Sequence, residues 1–219
     1  MVAIVRFVII FIVLYALLTF LSSQRPVANI IYPALKSLTT WVVEISLPSS
    51  FIESQDVVNE QTKKPEHDKM YLVYGNPVLI NKAIEEAKLT HNQYAKIPSY
   101  STQFFLFEMF IVPLIFVIAL FIASPIPNPR KWKGLGISLA LLMVFVLTKI
   151  IILTLFTISN SQIGIYELSD SMMNFLSRFI SFLSLGLSIF IGFMLWLIFG
   201  FRYSTFTNVF ESLFKSKSL

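Results

Sequence analysis

Four long apolar runs alternate with polar segments along this chain: residues 7–21 (FVIIFIVLYALLTFL, preceded by the single charge Arg6), 104–123, 135–158 and 179–201. At about 1.5 Å rise per residue each has the length to cross a hydrocarbon core about 30 Å thick, the first with help from its flanks. Lipid offers no partner to bare backbone polar groups, so the runs are expected as helices. The first could instead be a cleaved leader, cut near Ser22 and Ser23. It is at the long limit for that class and lacks a small-x-small site, which favours an uncleaved anchor.

Between the first two runs, residues 30–47 place Ile31, Leu35, Leu38, Val42 and Ile45 at three- and four-residue steps. That spacing predicts a helix lying at the membrane interface or packed on the bundle, with Tyr32 and Trp41 at headgroup level and Pro33 in its first turn. After a polar stretch, residues 70–74 (MYLVY) predict a short strand closed by Gly75-Asn76-Pro77. Residues 78–89 again have helical spacing.

Charge orients the spans. The loop between the second and third runs contains Arg130, Lys131 and Lys133 with no acid, whereas the next loop contains Glu167 and Asp170. The tail carries Arg202, Lys215 and Lys217 against Glu211. Basic residues in short loops stay in the cytoplasm. The segment Ser23 to Gln103 holds eight basic and eight acidic residues, and a segment of that length translocates regardless of charge. The expected fold class is therefore an all-α membrane protein with four transmembrane helices and both termini cytoplasmic. A small extracytoplasmic α(+β) subdomain is expected between helices 1 and 2. In numbers, 1–22 is the first span, a signal anchor, and 23–103 the outer segment with its interfacial helix. Residues 104–124 form the second span, 125–134 the cytoplasmic basic loop, 135–158 the third span and 159–177 an outer loop. Residues 178–201 form the fourth span and 202–219 the cytoplasmic tail.

Composition agrees. Of 219 residues 56% are hydrophobic and only 13% charged, well below the roughly 25% usual in soluble domains. The mean hydropathy is +0.75. The net charge of +5 reflects topology rather than nucleic acid, because the bases are scattered through loops with no basic stripe interleaved with aromatics. There is no cysteine, which excludes disulfides, thiolate nucleophiles and cysteine-bound metal. His67 and His91 have no acid at ligand spacing, so no metal and no cofactor are expected.

Ionisable residues within spans are costly and mark candidate sites. Glu108 and Lys149 both fall in the outer halves of their spans, with Arg178 at the outer start of the fourth. Three readings stand for this intramembrane polar cluster: a structural ion pair, a lysine that snorkels beside a wetted glutamate, or a substrate or partner site. Ser177, Ser181, Ser184, Ser188 and Gly192 recur at three- and four-residue steps, which predicts a helix-packing face along the fourth span or a docking face for a partner. Pro113 should kink the second span. No phosphate-cradling glycine loop, HExxH, GxSxG or paired intramembrane carboxylates occur, so catalysis has no visible apparatus.

The order of features resembles the small accessory membrane proteins of exosortase systems, especially the exosortase H-associated type. The likeness is carried by the Arg-led first helix, by SYSTQFFLFEMFIVPLIFVIALFIA with Tyr100 and Pro113-Leu114, by the basic turn RKWKGLG, and by FMLWLIF with Trp196. Residues 57–96 are foreign to it. Exosortases are membrane cysteine transpeptidases that process carboxy-terminal sorting signals, and this chain lacks the nucleophile. The resemblance implies a non-catalytic accessory beside such an enzyme in a bacterial inner membrane, multi-pass, with the lipid bilayer and a membrane protein as partners. A small transport or channel component using Glu108 and Lys149 as a polar path is the alternative, and an unrecognised membrane enzyme comes third.

Overall fold

The computed structural model describes residues 2–59, 61, 63–90, 98–184 and 186–201. The expected cytoplasmic tail 202–219, with Arg202, Glu211, Lys215 and Lys217, and also His91, lie outside the described residues. Helices dominate. In chain order they are α1 (Val2–Ser22), α2 (Arg25–Ser46), α3 (Pro77–Leu89), α4 (Val112–Ala123), α5 (Asn128–Asn160), α6 (Asp170–Ser184) and α7 (Leu187–Phe199). A π-helical turn, Phe107–Ile111, leads into α4. The strands are β1 (Phe51–Val58), β2 (Pro65–Gly75) and β3 (Tyr100–Phe105).

Among the described residues two helices are long and apolar enough to cross a bilayer, Ile4–Ser22 and Asn128–Asn160, and a third span results if α6 and α7 are one broken segment. The apolar helix Phe107–Ala123 is shorter than a usual span. The chain divides into two compact units. The first comprises Met1–Val27, Phe107–Val146 and Gly186–Leu219, and the second Ala28–Leu106 and Leu147–Leu185.

In the first unit α4 packs against both α1 and α7. Val117, Leu120 and Phe121 of α4 meet Leu135 and Leu142 of α5 and Leu195 and Trp196 of α7 in one buried cluster. The Phe7 ring stacks on Trp196 at 5.8 Å, and Phe11 meets Phe116 edge-on at 5.6 Å. Much of the rest of α1 is apolar and uncovered, with Val5, Ile9, Ile12, Val13, Leu17 and Phe20 all exposed. A helix apolar all round suits a bilayer. Pro113 is buried in the first turn of α4, directly after the π turn. It has no N–H for the carbonyl of Met109, and backbone widening at such points is a known cause of bends.

The second unit is built on an antiparallel sheet of order β1-β2-β3. Met70 pairs with Phe104 and with Asp56, and Leu72 with Thr102 and Ser54, so these side chains share a face. Met70, Leu72 and Phe104 are buried on it. The amphipathic α2 lies against this sheet. Lys36 Nζ donates to Asp56 Oδ1 of β1 at 2.6 Å. Burial raises the Tyr32 hydroxyl above its ordinary pKa, and the negative charge of Asp68 in β2 adds to the effect. At the start of α3, Asn76 Oδ1 accepts from the Val78 N–H at 3.0 Å, an N-cap with Pro77 behind it.

Several expectations shift. The single predicted strand is one of three. The apolar run starting at residue 104 belongs at first to β3, because Phe104 is the buried cross-strand partner of Met70. α2 begins at Arg25, so Pro33 sits in its interior rather than its first turn. Its buried stripe is Ala28, Tyr32, Leu35, Thr39 and Val43, whereas Ile45 of the predicted stripe is exposed. The buried face includes a tyrosine and a threonine, which hydrophobic spacing alone does not rank. The helix after the second run starts at Asn128, so Arg130, Lys131 and Lys133 stand on its first turns rather than in a loop. Pro129 falls where a helix tolerates proline, at its very start.

The fourth run is not one continuous helix. Gly186 adopts a φ of +72°, a conformation cheap only for glycine, and it separates α6 from α7. The serine stripe is therefore divided: Ser177, Ser181 and Ser184 belong to α6, Ser188 and Gly192 to α7.

Candidate functional site

Of the predicted polar cluster, Glu108 lies in the first unit and Lys149 and Arg178 in the second. Glu108 stands exposed on the π turn, where the wider backbone rotates its side chain away from buried Phe110 and Ile111. Lys149 is half-buried on α5, next to fully buried Ile150. Arg178 is exposed on α6.

The two halves of the serine stripe have different surroundings. Ser181 is exposed and donates its hydroxyl to the Ser177 carbonyl at 2.9 Å. Ser188 and Gly192 are buried. A Cβ at Gly192 would sit 2.8 Å from Val117 Cγ2, so the absent side chain is what lets α7 approach α4.

Sequence reasoning used Glu167 and Asp170 only to orient the spans, yet in the second unit they line a cavity of about 530 Å³ together with Ser159, Gln162, Tyr166 and Met173. The α5–α6 loop that forms it is pinned to the sheet domain. Its Tyr166 hydroxyl accepts from the Ser49 N–H at 3.2 Å, and its Ile163 carbonyl accepts from Asn76 Nδ2 at 3.2 Å. Inside the loop, the Leu168 N–H donates to Ser159 Oγ at 3.2 Å. Carboxylates, amides and hydroxyls without a basic neighbour on the wall suit a hydrogen-bond-donating or cationic group. Among the described residues no three His, Asp or Glu come close enough to hold a metal ion.

The second surface is the outward side of α2. Opposite its buried face, Ile30, Ala34, Ser37, Trp41 and Ile45 follow one another at helical steps. Ile30 is 74% exposed, Trp41 59% and Ile45 61%. Large apolar side chains flank two small ones, a shape that admits the backbone of another helix. The signal was present in the sequence, since these positions are offset from the buried ones by about half a turn.

Four hydroxyls in helices, those of Thr19, Thr39, Ser138 and Thr154, are buried and have no hydrogen-bond partner among the described residues. Each such group costs about 1–3 kcal/mol. No spacing rule flags them.

No protein-family model, curated protein or solved structure matches this chain.

Proposed function

We propose that this chain is a non-catalytic, multi-pass accessory protein of a bacterial inner membrane that docks an exosortase-like protein-sorting enzyme. In this reading the chain crosses the bilayer four times, with both termini in the cytoplasm and the segment 23–103 on the outer face. The observation that carries the proposal is the exposed stripe of α2. A helix that buries one face and leaves Ile30, Trp41 and Ile45 uncovered on the other is built to sit between two bodies. The small residues Ala34 and Ser37 between them favour a protein helix over lipid tails, which gain nothing from a notch. The resemblance of the order of apolar segments to that of exosortase-associated proteins supports the identity of the partner. Co-purification of the sorting enzyme from native membranes tests it. Trp41→Ala combined with Ile45→Ser should abolish the association without lowering the melting temperature, and unchanged association would contradict the proposal.

A small transport or channel component is the second reading. It is favoured by Lys149, half-buried on a candidate span, and by the π turn that presents Glu108, since such turns recur at functional sites. Solute or ion flux in liposomes that Glu108→Gln abolishes would support it.

A further inference from the structure

The apolar stretch of α5 contains a single charge. From Gly134 to Ile158 the sole ionisable residue is Lys149. No Asp or Glu occurs between Glu108 and Glu167, so no carboxylate stands three or four residues away on the helix to neutralise it. The ion pairs among the described residues, Lys36–Asp56, Lys69–Glu66 and Lys82–Glu86, lie on α2, the strands and α3. Lys149 belongs to none of them, and its ammonium has no hydrogen-bond partner among the described residues.

Its place along the helix keeps that ammonium from water. α5 is long and apolar enough to span a bilayer. At about 1.5 Å per residue, Lys149 lies about 24 Å from Lys133 and about 15 Å from Ser159, where polar residues resume. An extended lysine stem reaches about 6 Å, so even a fully snorkelled ammonium stops short of the polar end. The last turns of α5 bury one stripe, Ile150, Thr154 and Ile158. On the opposite side Lys149, Leu153 and Phe156 follow at four- and three-residue steps and are only partly covered. The charge therefore faces away from the part of this helix that packs within its own unit.

We infer that Lys149 docks a partner membrane protein through a carboxylate, an Asp or Glu within one of that protein's own transmembrane helices. Charge complementarity carries the assignment: a cation held in hydrocarbon is costly alone and is stabilised when an anion meets it at the same depth. Lipid phosphates stay at headgroup level, whereas ionisable side chains of other helices occur at the depth of Lys149. Leu153 and Phe156, one and two turns further on, supply the apolar flank on which that helix packs. The inference rests on α5 as a bilayer span. It depends neither on the outward stripe of α2 nor on the partner being a sorting enzyme.

The test places a photo-crosslinking amino acid at Leu153 of the full-length protein in its native membranes and maps the adducts by mass spectrometry. One protein adduct is expected, its cross-linked peptide lying in an apolar run of about 20 residues that holds an Asp or Glu. Lys149→Met should lower the yield about tenfold or more, the low end of coupling between close interfacial charges, without lowering the melting temperature of the isolated protein. Lys149→Arg should keep the adduct. Lys149→Asp should lose it, and changing the partner's carboxylate to lysine should then restore it. Adducts with lipid alone, a mapped peptide without Asp or Glu, a yield that Lys149→Met leaves unaltered, or no recovery on charge exchange would each overturn the assignment. Such an adduct at Leu153 with none at Trp41 upholds this pairing and removes the docking role of α2. Capture at Trp41 alone does the reverse.

Discussion

The indole nitrogen of Trp196 donates a hydrogen bond of 2.8 Å to the hydroxyl of Ser124, and both side chains are buried. Ser124 donates its own hydroxyl hydrogen to the Leu120 carbonyl at 2.6 Å, a group that also accepts from the Ser124 backbone N–H at 3.1 Å at the end of α4. One serine thus satisfies the tryptophan and caps the helix that packs against it. Ser124→Ala leaves the indole N–H unpaired in an apolar setting and should lower stability in detergent by about 1–3 kcal/mol. Trp196→Phe removes the donor, so Ser124→Ala should cost less in that background. A double-mutant cycle on the melting transition measures the coupling, and additive losses would show the bond to be inert.

The division of the serine stripe predicts opposite tolerances along the fourth run. Gly192 faces α4 and Ser188 is buried one turn before it, so Ser188→Leu and Gly192→Leu each force bulk into a closed contact, at about 1–3 kcal/mol. Ile189 is exposed and Ser181 lies on the uncovered side of α6. Ile189→Leu and Ser181→Leu should leave the melting temperature unchanged. Equal sensitivity at all four positions would contradict a packing face confined to α7.

At the tip of the β1–β2 hairpin, Lys69 Nζ donates to Glu66 Oε2 at 2.6 Å and Asn59 Nδ2 to Glu66 Oε1 at 2.8 Å. The lysine hydrogen bond, then that of the asparagine, holds the Glu66 carboxyl below its ordinary value of 4.5, and the same ion pair raises Lys69 above 10.5. A lowered carboxyl stabilises the fold fully above the unfolded value and stops doing so as pH falls through the folded one. Protection of the hairpin amides against hydrogen exchange should therefore hold down to pH 4.5 and fall below it. Glu66→Gln should remove that step while leaving α2 unaffected. The effect is small, since the pair is partly exposed to solvent.

The ends of α5 report its orientation in a cysteine-free background. Asn128 opens the helix and Ser161 follows its last residue, and 33 residues span about 50 Å. A cysteine at Ser161 should react with an impermeant maleimide from outside, and one at Asn128 should not. The reverse pattern would invert the proposed topology, and labelling at both ends from outside would remove α5 from the membrane.

Apolar run length made α1 and α5 legible, because a span is a local property of sequence. What the sequence hid was non-local. β1 and β3 carry mixed polar patterns, and their pairing with β2 depends on Met70 and Leu72 finding Asp56, Phe104 and Thr102 across the sheet. The face α2 buries is decided by tertiary packing, so periodicity alone placed the stripe a residue away. A single positive φ at Gly186 divides the fourth run, and an isolated glycine within an apolar helix gives no warning of it. For Glu108 and Lys149, intramembrane cost singled out the residues; their placement in separate units is a matter of tertiary assembly.

The docking role of α2 is tested most directly by placing a photo-crosslinking amino acid at Trp41 in living cells and identifying what it captures. The account predicts one adduct whose protein component is an integral membrane transpeptidase with a catalytic cysteine. The same probe at buried Val43 should yield none. Adducts at position 41 with lipid alone, or equally with abundant unrelated membrane proteins, would contradict an accessory built to dock a sorting enzyme.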